Sequence, residues 1–68
     1  MRINEKEAKR MIGKKYKIVT REPGEKRNST VIGIIEDFES HSGFFIVDSE
    51  SGLAALNSDY IISMKKTF

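Results

Sequence analysis

The spacing of apolar positions changes period once along the chain. Ile3, Ala8, Met11 and Ile12 fall on one helical stripe, whereas from Tyr16 onward apolar residues alternate with polar ones or run together in short blocks. Asn4 stands three residues before Glu7, the spacing of an N-cap and its capping-box partner. Glu5 and Glu7 fall in the first turn and Lys9 and Arg10 in the last, each suited to the helix dipole. This predicts a helix over about 5–11, ended by Gly13 in the left-handed conformation.

In "KKYKIVT", Tyr16, Ile18 and Thr20 share one face while Lys15, Lys17, Val19 and Arg21 share the other, so a half-buried strand is expected over about 14–21. "EPGE" stops it. Pro23 and Gly24 occupy the second and third positions of a type II turn, and polar "EKRNS" extends the loop. "TVIGIIEDF" and "GFFIVD" are apolar on both faces. They predict central strands at about 30–38 and 43–48 in a strongly bent sheet, covered on two sides, with Gly33 marking a bend or a close backbone approach. "ESHSG" and "SESG" supply turns, "LAAL" a strand at about 53–56, "NSDY" a single helical turn and "IISMKK" a strand at about 61–66. The expected architecture is one mainly β domain over 1–68: five short antiparallel strands in a small barrel behind one N-terminal helix.

Composition narrows what such a domain can do. A chain of 68 residues buries only about 60% of the surface it exposes when unfolded, so no large catalytic cleft is expected. There is no cysteine, and the single histidine, His41, cannot complete a structural zinc site. The cysteine-free composition suits a reducing compartment, and "MRINEKEAKR" offers no apolar run for a secretory signal or membrane span. A soluble, cytoplasmic protein with no membrane partner is expected.

Charge is the most informative feature. Residues 1–30 hold ten Lys or Arg against four Glu, a net +6, whereas residues 31–62 hold six Asp or Glu and no Lys or Arg, a net −6; Lys65 and Lys66 follow. In a barrel the helix, the first strand and the long loop lie near one another. Lys14, Lys15, Lys17, Arg21, Lys26 and Arg27 are therefore expected to share one basic surface, joined by Lys65 and Lys66, that binds the phosphates of RNA or DNA. Asp37, Glu39, Asp48, Glu50 and Asp59 would repel a polyanion from the other side. The same dipole also suits a protein-interaction module, of a size common among phage or mobile-element products that dock a host protein, or the pairing of two copies into a homo-oligomer.

Candidate chemistry is sparse. "DFESH" would put Asp37, Glu39 and His41 on one face of a regular strand, but a polar outer face running into a turn, with His41 in the turn itself, is the reading expected. No serine has an identifiable base, and "EPGEKRNST" lacks the Walker pattern. No catalytic residue, cofactor or metal is expected, and the chain reads as a non-enzymatic, regulatory or accessory binder. Of the aromatics, Phe38, Phe44, Phe45, Tyr16 and Tyr60, most must build the core, while the outward one of Phe44 and Phe45 is left for packing, an interface or a base.

The order of helix, "GKKYKI", a glycine-turn loop, "GIIEDF", "GFFIVD", a short strand and "DYIISM" resembles the Sm-like barrels, the family that includes the bacterial RNA chaperone Hfq, within the wider SH3-like class. The chain also resembles the small bacterial Veg-type proteins, in which a glycine and a lysine precede the first strand and a basic cluster follows the loop glycine, as Gly24 precedes Lys26 and Arg27 here. The resemblance implies an SH3-like or Sm-like barrel and RNA binding. Sm-like proteins usually carry an asparagine in the turn between the central strands and a basic residue near the last turn. "ESHSG" and "LNSDY" have neither, so the likeness bears on the fold more than on ring-type RNA recognition.

Overall fold

A computed structural model describes residues 3–67. Helix α1 (Glu5–Met11) is followed by β1 (Lys15–Thr20), β2 (Ser29–Glu39), β3 (Phe44–Ser49), β4 (Gly52–Asn57), a 3₁₀ turn (Ser58–Tyr60) and β5 (Ile61–Lys66). The five strands form one antiparallel sheet in the order β4-β3-β2-β1-β5. The chain thus meanders from β1 to β4 and then returns, so that β5 lies beside β1. Among the described residues β4 and β5 end the sheet and share no ladder. None of their helices is long and apolar enough to cross a membrane.

Local chemistry accounts for the elements. Asn4 Oδ1 accepts the Glu7 N–H at 2.8 Å, and the Asn4 amide donates to Glu7 Oε1 at 3.3 Å, tying the first turn of α1. Gly13 follows the helix at φ 85°, a conformation that β-carbon sterics discourage elsewhere. The Glu25 N–H donates to the Glu22 carbonyl at 3.0 Å with Gly24 at φ 86°, as the type II turn requires.

The core is small and sided. Ala8 and Met11 of α1 pack with Ile18, Ile35, Phe38, Phe45, Val47 and Ile61. Phe38 and Phe45 are register partners whose ring centroids lie 4.7 Å apart at a tilt of 51°, a geometry worth about 0.5–1.5 kcal/mol beyond area burial. Two bulges make this core possible. The ladder between β2 and β3 skips Glu36, so Ile35 and Phe38, three positions apart, both reach the interior; the ladder between β1 and β5 skips Ile62, which does the same for Ile61 and Met64.

Gly33 sits at a close approach of β2 to β3. A β-carbon there would strike the backbone carbonyl of Asp48 and the Val47 side chain. The expectation that the central strands are covered on both sides is corrected for β2. Ile32 and Ile34 are 47% and 41% exposed, because a single sheet with one seven-residue helix has no second layer to lay over them. Phe45 is fully buried and Phe44 half-buried, as alternation requires.

Candidate nucleic-acid interface

The basic residues are placed by the alternation of β1 and by the return of β5. Ile18 and Thr20 of β1 are buried, which leaves Lys15 and Lys17 exposed on the opposite face. Lys17 is the register partner of Lys65, so their side chains rise from the same face of adjacent strands, about 4.8 Å apart at the backbone. The Thr67 N–H donates to the Lys15 carbonyl at 2.9 Å and carries the ladder one step further. Lys66 pairs with Tyr16 on the other face, and Lys14, exposed, precedes the strand, its carbonyl accepting from the Ile35 N–H at 3.0 Å.

Two like charges in direct register are an unfavourable arrangement, of order 0.2–1 kcal/mol relative to neutral neighbours. Among the described residues, no carboxylate lies within ion-pairing distance of Lys15, Lys17 or Lys65. Next to these lysines the face turns apolar and then acidic. Lys15 is in register with Ile34 of β2, Ile34 with Asp48 of β3, and Asp48 with Leu53 of β4. Two strand spacings, about 10 Å, therefore separate Lys15 from Asp48 at the backbone, close to the Debye length at physiological salt. The cationic zone is a stripe along β1 and β5, bounded by carboxylate on one side.

The loop residues lie elsewhere. Lys26 and Arg27 follow the type II turn beyond the far end of β1, a strand of six residues and roughly 20 Å. Arg21 braces this loop from within, since its Nε donates to the Glu25 carbonyl at 3.2 Å and its Nη2 to the Lys26 carbonyl at 3.1 Å. Of the eight basic residues singled out in the sequence, Lys15, Lys17 and Lys65 come together on one face, and Lys14 and Lys66 flank them at the same end. Arg21, Lys26 and Arg27 form a separate group at the other end.

Sequence reasoning did not identify the loop-fixing role of Arg21. The signal was its position just before a Pro-Gly turn, whose exposed carbonyls need donors. Tyr60 also belongs to this end: its carbonyl accepts the Arg21 N–H at 2.9 Å, and its side chain is exposed.

The carboxylates of "DFESH" serve the turn. Glu39 Oε2 accepts from the Ser42 N–H and Oγ, each at 2.6 Å, and its Oε1 accepts from the His41 N–H at 3.0 Å. These bonds, the Ser42 hydroxyl first, lower the Glu39 pKa from 4.5 to about 2. Asp37 Oδ1 accepts from the Phe38 N–H at 2.8 Å. Among the described residues, no three His, Cys, Asp or Glu side chains are grouped to hold a metal ion. No protein-family model, curated protein or solved structure matches the chain.

Proposed function

We propose that the protein is a small non-enzymatic, regulatory or accessory binder of RNA or DNA that takes the phosphate backbone along the stripe formed by β1 and β5. The observation that carries this reading is the register pairing of Lys17 with Lys65, next to Lys15, with no carboxylate among the described residues within ion-pairing distance of any of the three. A polyanion laid along the stripe converts this repulsion into attraction and releases the counterions condensed on its phosphates.

Binding of this kind is independent of sequence, since lysines act on phosphate as point charges and read no base edge. The carboxylates beyond Ile34, Asp48 first, repel a strand that strays across the sheet and so keep it parallel to β1. The Lys26 and Arg27 group extends contact at the far end, with the loop held by Arg21.

Fluorescence anisotropy with labelled single-stranded RNA and with duplex DNA, at about 50 and 200 mM salt, tests the proposal. Three contacts, from Lys15, Lys17 and Lys65, correspond to a slope of roughly −2 in log K against log salt for a single strand and about −2.7 for duplex. Affinity for the single strand should then fall about twentyfold over that range. No binding at the lower salt refutes the reading.

A further inference from the structure

β2 is longer than the strand that pairs with it on one side, and the excess is open. Its residues Ser29–Ile32 are in register with β1, whereas its ladder with β3 begins only at Gly33, opposite Ser49. At Ser49 the chain turns away through Glu50 and Ser51 into β4. Beside the uncovered length of β2 lies a groove of about 530 Å³, lined by Thr30, Val31 and Ile32 of β2, by Ser49, Glu50 and Ser51, and by Lys15 and Ala54.

The direction of the backbone groups follows from the neighbouring ladder. The carbonyl of Ile35 accepts from the Gly13 N–H at 2.8 Å, and its N–H donates to the Lys14 carbonyl at 3.0 Å, so Ile35 faces the β1 side. Backbone groups of successive residues in a strand point to alternate sides. Val31 and Gly33 therefore face β1 as well, and the N–H and C=O of Thr30 and Ile32 face the groove. There β3 supplies no register partner for either residue.

We infer that this groove is a strand slot, in which a short extended peptide from another protein pairs with Thr30 and Ile32 of β2 on the track that β3 leaves at Ser49. An unpaired strand edge is a template for main-chain hydrogen bonds, and here a cavity lies against it instead of a flat, open surface. The slot also selects its occupant. The Glu50–Ser51 turn closes one end, so a long strand of a second folded copy would run into it, whereas a loose segment of a few residues fits. Hydroxyls of Thr30, Ser49 and Ser51 and aliphatic groups of Val31, Ile32 and Ala54 make up most of the lining, and the one cation, Lys15, is offset by the one carboxylate, Glu50, so the segment that suits it carries no net charge and is β-branched at alternate positions. Lys15 belongs to both the groove and the basic stripe, but Lys17 and Lys65 do not line the groove, so replacing those two should weaken binding on the stripe and leave the slot intact.

The test is a titration of the 15N-labelled protein with acetyl-Thr-Val-Thr-Val-Thr-amide, followed by amide chemical shifts and hydrogen exchange. The expected result is saturable shifts at Thr30, Ile32 and Glu50, with exchange of the Thr30 amide slowed about tenfold at nine-tenths occupancy, because exchange proceeds from the free fraction. The same peptide N-methylated at alternate residues should fail to bind. So should the Thr30→Pro variant, which removes a donor facing the slot while the β1 ladder runs through Ser29 and Val31. If Thr30→Pro does not fold, the N-methylated peptide still decides. Absence of saturable shifts at millimolar peptide, equal binding of the N-methylated peptide, or self-association of the free protein through these same residues overturns the inference.

Discussion

Replacing Lys17 by Gln should move binding and stability in opposite directions. Lys17 faces Lys65 across the ladder, and like charges directly opposite one another on a sheet face are destabilising by about 0.2–1 kcal/mol. Removing one charge should therefore stabilise the fold by a few tenths to about 1 kcal/mol. For a domain of this size, a gain of about 0.5 kcal/mol raises Tm by roughly 2–4 °C. The same change removes one phosphate contact, lowering the magnitude of the single-strand salt slope by about 0.7. Affinity should fall about eightfold at 50 mM salt and about threefold at 200 mM. Thermal unfolding by circular dichroism and anisotropy titrations on one preparation give both quantities. An unchanged salt slope would show that Lys17 meets no phosphate. A lowered Tm would show that its aliphatic stem stabilises the sheet more than its charge disturbs it.

Gly33→Ala should destabilise the protein by about 1–3 kcal/mol in urea unfolding, because its β-carbon meets the backbone of β3, which cannot rotate aside as a side chain could. Glu39 ionises at about 2 in the folded protein against 4.5 ordinarily, so its stabilising effect is complete above about pH 4.5 and is lost as the pH falls through 2. The wild type should therefore lose more stability than Glu39→Gln between pH 5 and pH 2, and parallel pH profiles would refute this assignment. Arg21→Gln removes the bonds to the Glu25 and Lys26 carbonyls, and should speed limited trypsin cleavage after Lys26 and Arg27 while lowering stability by less than about 1 kcal/mol. An unchanged cleavage rate would mean that the turn holds the loop without Arg21.

The secondary structure of this chain was legible because its causes are local. Asn4 and Glu7 start a helix within one turn, Gly13 lets it end, and Pro23 with Gly24 folds the chain back within four residues. Alternation in "KKYKIVT" assigned Ile18 to the interior and Lys17 to solvent before any partner strand was known. The Gly33 close approach was also readable, as an isolated glycine inside an apolar strand.

Of the candidate interface, the sequence supplied the residue types and the charge segregation but not the grouping. Lys17 and Lys65 become neighbours because β5 returns to the free edge of β1, a pairing set by how the whole sheet buries its one apolar face. That choice also separated Lys26 and Arg27 from the lysine stripe and gave Arg21 to the loop carbonyls. It left Ile32 and Ile34 uncovered, although their composition matches that of buried strands. Periodicity determined which face of each strand turns inward. Only the tertiary structure decided which strands lie side by side, in what register and where a ladder stops short, since these depend on contacts between residues far apart in the chain and on the number of layers available to cover them.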